Sequence, residues 1–376
     1  RYHLNPVLSF PKTAPWGYFE PSVELVENNY SLFSNTNAQG NGLSQSSSFN
    51  RALPRVYIDS GLTFERDTHL FANRMRQTLE PRLFYLWVPY ENQNQFPSFD
   101  SAYMIFNADQ LFRTNRFSGF DRISDANQLA YAATTRWYTE KTGQEKASVT
   151  IGQIRYFSPR KLQLCYSPDG QCTDSPAFLG YTSPETLWSP MATRAVYTLN
   201  SAWSASADFV WDFHYNNTNN ANLNLHYQPT AERILALGYN YLANGNMIIP
   251  PPLGVVNPIF NPVNTAIISD SLHQITGSYA WPLTDHWSTL GVYSYNISTQ
   301  YDMLSFFGIQ YDSCCWAARV IGGRTFKSLS PDAIPIPQYN NNIYFQIVLK
   351  GLGSAGTSNP ASTVYSYLPG YPNLFK

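Results

Sequence analysis

The chain has 376 residues, a formal net charge of -1, 43% hydrophobic and 16% aromatic residues, and only 13% charged residues. A near-neutral chain lacks the basic face that nucleic acid demands, and no run of about 18 apolar residues offers a transmembrane helix. Soluble domains carry about 25% charged residues; here 27 Tyr, 23 Phe and 9 Trp stand in their place, the balance of an all-β transmembrane antiparallel β-barrel, whose strands show lipid only every second residue.

The chain opens at Arg1, without Met, in strand-like Tyr2-His-Leu, which reads as a mature form or a fragment. Period-two segments follow at 1–10, 16–30, 52–66, 77–90, 127–139, 146–158, 193–201, 204–216, 221–228, 232–243, 270–283, 286–297, 301–312, 315–327 and 339–351. That predicts about fifteen strands and no helices. The clearest is 204–216, where Ala205, Ala207, Phe209, Trp211, Phe213 and Tyr215 alternate with Ser204, Ser206, Asp208, Asp212, His214 and Asn216. Only Val210 breaks the rule. The alternation predicts lipid contact for the first set and water contact for Asp208, Asp212 and His214, with a turn at 216–219.

Glu20, Glu24, Glu80, Arg82 and Arg136 add mixed charge to the polar face, which predicts a wet lumen. Asp208 and Asp212 sit ~13 Å apart along a strand, too far for paired-carboxylate chemistry. His214 and His226 lack metal-ligand spacing. No Ser, His and acid set or phosphate loop is found, so no enzyme activity, cofactor or metal is expected.

Connections alternate in length: short at 11–15, 140–145, 201–204, 228–233, 282–286 and 312–314, long at 34–50, 91–126, 159–192, 244–269 and 328–338; 67–77 is longer but belongs with the short series. Outer-membrane barrels place short turns in the periplasm and long loops outside. Trp16, Trp203, Trp281, Trp287 and Trp316 cluster beside the short turns, as an interfacial aromatic girdle would. The 91–126 loop is rich in Phe, including Phe112, Phe117 and Phe120, which predicts that it folds into the lumen, with Arg113, Arg116, Asp121 and Arg122 free to contact lumenal acids, a partner or substrate; a surface lid is the alternative. Cys165 and Cys172 enclose Pro-Asp-Gly in a long loop, a spacing suited to a local disulfide. Cys314 and Cys315 share one short turn. A bond between neighbours closes a strained ring, so each seeks a distant partner; the bland alternative is two unrelated buried thiols.

Four stretches carry a resemblance: Leu79-Glu-Pro-Arg-Leu-Phe-Tyr-Leu-Trp-Val-Pro-Tyr90, Leu111-Phe-Arg-Thr-Asn-Arg-Phe-Ser-Gly-Phe-Asp-Arg-Ile-Ser-Asp-Ala-Asn-Gln128, Ser148-Val-Thr-Ile-Gly-Gln-Ile-Arg-Tyr-Phe157 and Tyr311-Asp-Ser-Cys-Cys315. Together they resemble the LptD family of lipopolysaccharide-assembly translocons, over residues 1–352. The resemblance implies the C-terminal portion of a barrel of about 26 strands, with 353–376 as a tail, in the outer membrane of a Gram-negative bacterium. It further implies a plug lipoprotein partner, LptE, periplasmic bridge proteins reached through an N-terminal domain, and lipopolysaccharide as the transported ligand. By the same resemblance Cys314 and Cys315 bond to cysteines of that N-terminal domain, and the last strand, with Ile343, Phe345, Ile347 and Leu349, forms one side of a lateral seam. Cys165 and Cys172 depart from the family pattern. The rival reading is a passive porin or receptor-type barrel.

Overall fold

The computed structural model describes residues 1–31, 48–70, 73–164, 184–243, 271–329, 336–350, 353–356, 367–368 and 370. Cys165, Cys172 and most of the 34–50, 159–192 and 244–269 connections lie outside them. Nineteen strands are found among the described residues, in two compact units.

The first unit comprises Arg1–Ala195 with Asp208–Asn219 and a segment outside the described residues. Pro6 and Pro11 supply no N–H, so the opening stretch is cut into β1 (Tyr2–Leu4), β2 (Val7–Ser9) and β3 (Lys12–Ala14), all antiparallel to β4 (Gly17–Ser31). β4 pairs along its whole length with β5 (Ser48–Leu62). The predicted 52–66 strand breaks at Thr63, after which β6 (Phe64–Leu70) and β7 (Asn73–Val88) form a hairpin, and β7 pairs β5 as well. β8 (Ala126–Thr139) and β9 (Glu145–Tyr156) continue the antiparallel order, followed in the chain by β10 (Met191–Thr198).

The second unit comprises Val196–Ala207, Asn220–Ile249 and Ile268–Lys376. β11 (Trp203–Asp212) and β12 (Asn217–Thr230) contribute to both units. Then β13 (Arg233–Leu242), β14 (Leu272–Pro282), β15 (Trp287–Asn296), β16 (Tyr301–Asp312), β17 (Trp316–Leu329) and β18 (Pro337–Leu349) pair successively, each antiparallel to the last.

Each unit turns the burial rule of soluble proteins inside out. On β4, Ser22, Glu24, Val26, Asn28 and Tyr30 are buried while the alternating Phe19, Val23 and Leu25 are exposed. In the second unit Ser294, Gln310 and Arg319 are buried, while Leu237, Ile275, Phe307, Val320 and Phe345 are exposed. Large exposed apolar faces of this extent demand an apolar solvent, and alternate residues supply one such face per sheet.

Three expectations are corrected. β11 ends at Asp212, so Phe213, His214 and Tyr215 stand exposed in a turn and His214 is not on the polar face. The cause is local: the Asp212 carboxylate accepts from the backbone N–H of His214 (2.8 Å) and Tyr215 (3.2 Å), and Asn216 takes φ +51°, so the chain reverses at 213–216 rather than 216–219. The strand count exceeds fifteen because of the proline and Thr63 breaks. Finally, 353–376 is not only a tail: β19 (Gly353–Gly356) pairs with β18 from Gln346 to Leu349.

Candidate functional site

The polar face of the first unit is a cationic and acidic wall. Arg55 Nη1 reaches Glu24 at 2.9 Å, Arg136 bridges Glu80 (3.2 Å) and Glu145 (2.9 Å), and Arg194 bridges Asp208 (2.6 Å) and Asp109 (2.5 Å). Glu20 and Asp59 face one another across β4 and β5, and Arg82 binds Asp59 through two donors, at 2.9 and 2.5 Å. Thus Glu20, Glu24, Glu80, Arg82, Arg136, Asp208 and Asp212 all lie on this face. Val210 shares it with the two aspartates and is fully buried because it packs in an apolar cluster there with Leu86, Leu111 and Ile154.

The 89–125 segment packs against that wall. Leu111 and Phe117 are fully buried, Phe96 meets Tyr30 edge to face and Phe49 at a tilt, and Phe112 meets Phe84 edge to face while the Arg82 guanidinium covers it at 3.9 Å. The segment thus packs on the polar face of the sheet, through Phe112, Leu111 and Phe117. A buried polar node fixes it. Asp121 is fully buried and accepts from Tyr30 Oη (2.8 Å), Arg1 (2.6 Å) and the backbone N–H of Phe99 and Asp100. Arg51, only 1% exposed, donates to Gln93 (2.5 Å) and to the Asp121 carbonyl (3.0 Å). Burial alone would raise the Asp121 carboxyl, but the Arg1 guanidinium and the Phe99 N–H hold it at about 2.

Arg116 is bound to Asp125 and to the Leu162 carbonyl, and Arg122 to the carbonyls of Phe96 (2.8 Å) and Pro97 (3.1 Å). These residues, with Asp121 and Phe117, hold the segment itself. Arg113 and Phe120 remain exposed. Arg51, Arg55 and Asp59 escaped the sequence reading, although 51, 53, 55, 57 and 59 share one phase; Pro54 in mid-strand obscured it.

In the second unit, Cys314 and Cys315 occupy the tight β16–β17 turn, both exposed, with sulfurs 2.8 Å apart. The bland reading of two buried thiols is thus excluded. The contact with Cys315, then that with Ser313, pulls the Cys314 thiol below its ordinary range, and the same contact pushes Cys315 up. Of the two, Cys314 is the one whose thiolate the contact favours. Beside this turn the Tyr311 ring meets Trp287 edge to face and Trp316 at a tilt, each 5.0 Å away. On the neighbouring strand, Ile343 (81% exposed), Phe345 and Leu349 project from the apolar face of β18 and Ile347 is half-buried. β19 pairs with β18 at Gln346–Leu349.

The profile of the family described as LptD, LPS transport system D, matches residues 1–287. The LPS-assembly protein LptD of Legionella pneumophila (strain Lens) is 53% identical over all of this chain. The chain belongs to the LptD family. The corresponding Pseudomonas aeruginosa (strain LESB58) protein is 36% identical over 94% of the chain. The chain spans 43% of the Legionella relative's length and 38% of the Pseudomonas one. Among solved structures, a point variant of the ferric enterobactin receptor PfeA from Pseudomonas aeruginosa covers 95% of the chain, and 54% of its own, at 8% identity and a TM-score of 0.41. The siderophore receptor PirA of Acinetobacter baumannii covers 92% and 56%, at 8% and 0.43. The assignment rests on the LptD relatives, not on these. The antiparallel sheets with their apolar faces are accordingly the LptD family's outer-membrane β-barrel region, in a Gram-negative envelope.

Proposed function

We propose that this chain is the C-terminal barrel portion of a protein that inserts lipopolysaccharide into the outer leaflet; its relatives are named for LPS assembly and LPS transport. The observation that carries the reading is family membership across the whole chain. Its sheet chemistry supports it: an apolar face meets membrane lipid, and a face of paired charges supplies a hydrated path for sugars and phosphates. The process is transport without a bond change.

Within this reading the 89–125 segment lines the path, and exposed Arg113 and Phe120 are the residues of that segment offered to a plug lipoprotein, LptE, or to substrate. In the same reading β18, with Ile343, Phe345, Ile347 and Leu349, forms one side of a lateral seam through which acyl chains leave. Cys314 and Cys315, at a short turn and hence on the periplasmic side, bond to cysteines of an N-terminal domain that receives lipopolysaccharide from bridge proteins. Exposure of both thiols supports that pairing. A passive porin needs no such anchor.

Controlled depletion of the complete protein in its own bacterium tests the reading. Surface lipopolysaccharide should fall while newly made lipopolysaccharide accumulates inward of the outer membrane; unchanged surface lipopolysaccharide at full depletion would reject it.

A further inference from the structure

On the apolar face of the second unit, strands β14 to β17 line an open hollow of about 360 Å³. Register explains it. One row across the sheet reads Gly277, Tyr293, Ser305 and Arg324, and the next reads Tyr279, Gly291, Phe307 and Gly322. Aromatic walls therefore alternate with floors that carry little or no side chain.

The glycines differ in what they do. A Cβ on Gly291 would strike the Tyr279 ring at 2.5 Å, so there the absent side chain serves packing. At Gly322 a Cβ would meet nothing within 4 Å, and at Gly277 only Leu237 Cδ2 at 3.6 Å; neither has a positive φ. Glycine in a strand weakens it, and at these two positions neither the backbone nor a neighbour requires it. What it leaves is open space facing lipid.

Arg324 stands at the head of the hollow. Its guanidinium lies 3.7 Å over the Tyr339 ring, and among the described residues it forms no ion pair. An unpaired charge on a lipid-facing strand is tolerated only near an interface. Arg324 lies eight residues along β17 from Trp316, ~26 Å of strand and, at the ~40° tilt of barrel strands, ~20 Å of height, which approaches the ~25 Å of a barrel's apolar band. Trp316 marks one interface beside the cysteine turn, so Arg324 marks the other. The head of the hollow is thus cationic and its body apolar, the complement of an anionic headgroup on an acyl chain. The hollow also borders the strand assigned to the seam, since Gly322 pairs with Ile343 of β18.

We propose that this hollow seats one acyl chain of a phosphorylated glycolipid in the leaflet opposite the cysteine turn, with Arg324 on its phosphate. The choice of glycolipid rests on the transport reading above. Lipid that has left the seam is held briefly against the outer wall before it mixes with the leaflet.

The test uses the complete protein, with its plug partner, in nanodiscs containing lipopolysaccharide that carries a diazirine on one acyl chain; adducts are mapped by mass spectrometry. A diazirine phosphatidylcholine serves as the neutral comparison. Label should fall on Tyr279, Tyr293 and Phe307, and Arg324→Gln or Gly322→Leu should reduce it about tenfold, as loss of a charge-assisted contact or of the space would. Gly322→Leu has room to fold, and both variants should keep wild-type resistance to heat unfolding. Equal labelling by phosphatidylcholine, or unchanged labelling in both variants, overturns the site. Delivery of lipopolysaccharide by the same protein is measured separately. Delivery without label here removes the groove and keeps the transport reading; label here without delivery keeps the groove and removes that reading.

Discussion

The guanidinium of Arg82 lies 3.9 Å over the ring of Phe112 while two of its nitrogens grip Asp59, so one strand side chain ties the 89–125 segment to the sheet wall. Cation–π contacts are worth ~0.5–2 kcal/mol, and this one adds to the apolar packing of Phe112 on Phe84. Phe112→Ala should therefore loosen the segment without unfolding the sheet. Hydrogen exchange across 95–120 should accelerate while β7 and β8 amides keep wild-type protection; equal acceleration in β7 would show that the ring supports the strands instead.

Asp121 gives a pH signature. Its folded carboxyl, at about 2, lies below the ordinary carboxylate value, so its stabilising contribution is present above the unfolded pKa and is lost as pH falls through the folded one. Anchoring of the segment should be constant from pH 8 to 5 and weaken only below about 4. Asp121→Asn, which also leaves Arg1, Tyr30 and the Phe99 and Asp100 N–H groups with a poorer acceptor set, should raise segment exchange across the whole range. A wild-type transition near pH 6 would contradict the node.

Face polarity predicts an asymmetry in β13. Leu237 is exposed on the apolar face and Asn240 sits on the other. Leu237→Arg should cost ~2–4 kcal/mol near the bilayer midplane, whereas Asn240→Arg should cost little. Equilibrium unfolding from lipid vesicles reads both values, and equal costs would mean that the faces are misassigned.

In reduced protein, Cys314 should be alkylated at lower pH and faster at neutral pH than Cys315, because contact with Cys315 stabilises its thiolate. Cys315→Ser should raise the Cys314 titration toward the ordinary thiol value. In the oxidised complete protein, each should carry a long-range disulfide, visible as a mobility difference between reducing and non-reducing gels. Either single Ser variant should keep one bond and function, and the double variant should lose both.

Much of this was legible in the chain because a β-strand writes its two faces as alternating letters. Phe209 against Asp208 and Asp212, or Phe307 against Gln310, needs no tertiary knowledge to assign. What escaped depended on local or distant contacts that alternation does not encode. The true turn at 213–216 follows from one carboxylate, Asp212, capping two amides, so His214 was placed on a strand that had already ended. β19 is Gly-Ser-Ala-Gly, with no β-forming side chain, and exists by pairing with β18. The Asp121 node joins Arg1, Tyr30 and Arg51 across separations of 70 to 120 residues, which no window along the chain can show.

The most direct test of the central claim is reconstitution: the complete protein with the proposed plug lipoprotein in vesicles, supplied with lipopolysaccharide through the proposed periplasmic bridge, and scored for lipopolysaccharide reaching the vesicle membrane. The account predicts transfer that requires the protein and that is abolished when Cys314 and Cys315 are both replaced by Ser. Transfer equal in vesicles with and without the protein would contradict it.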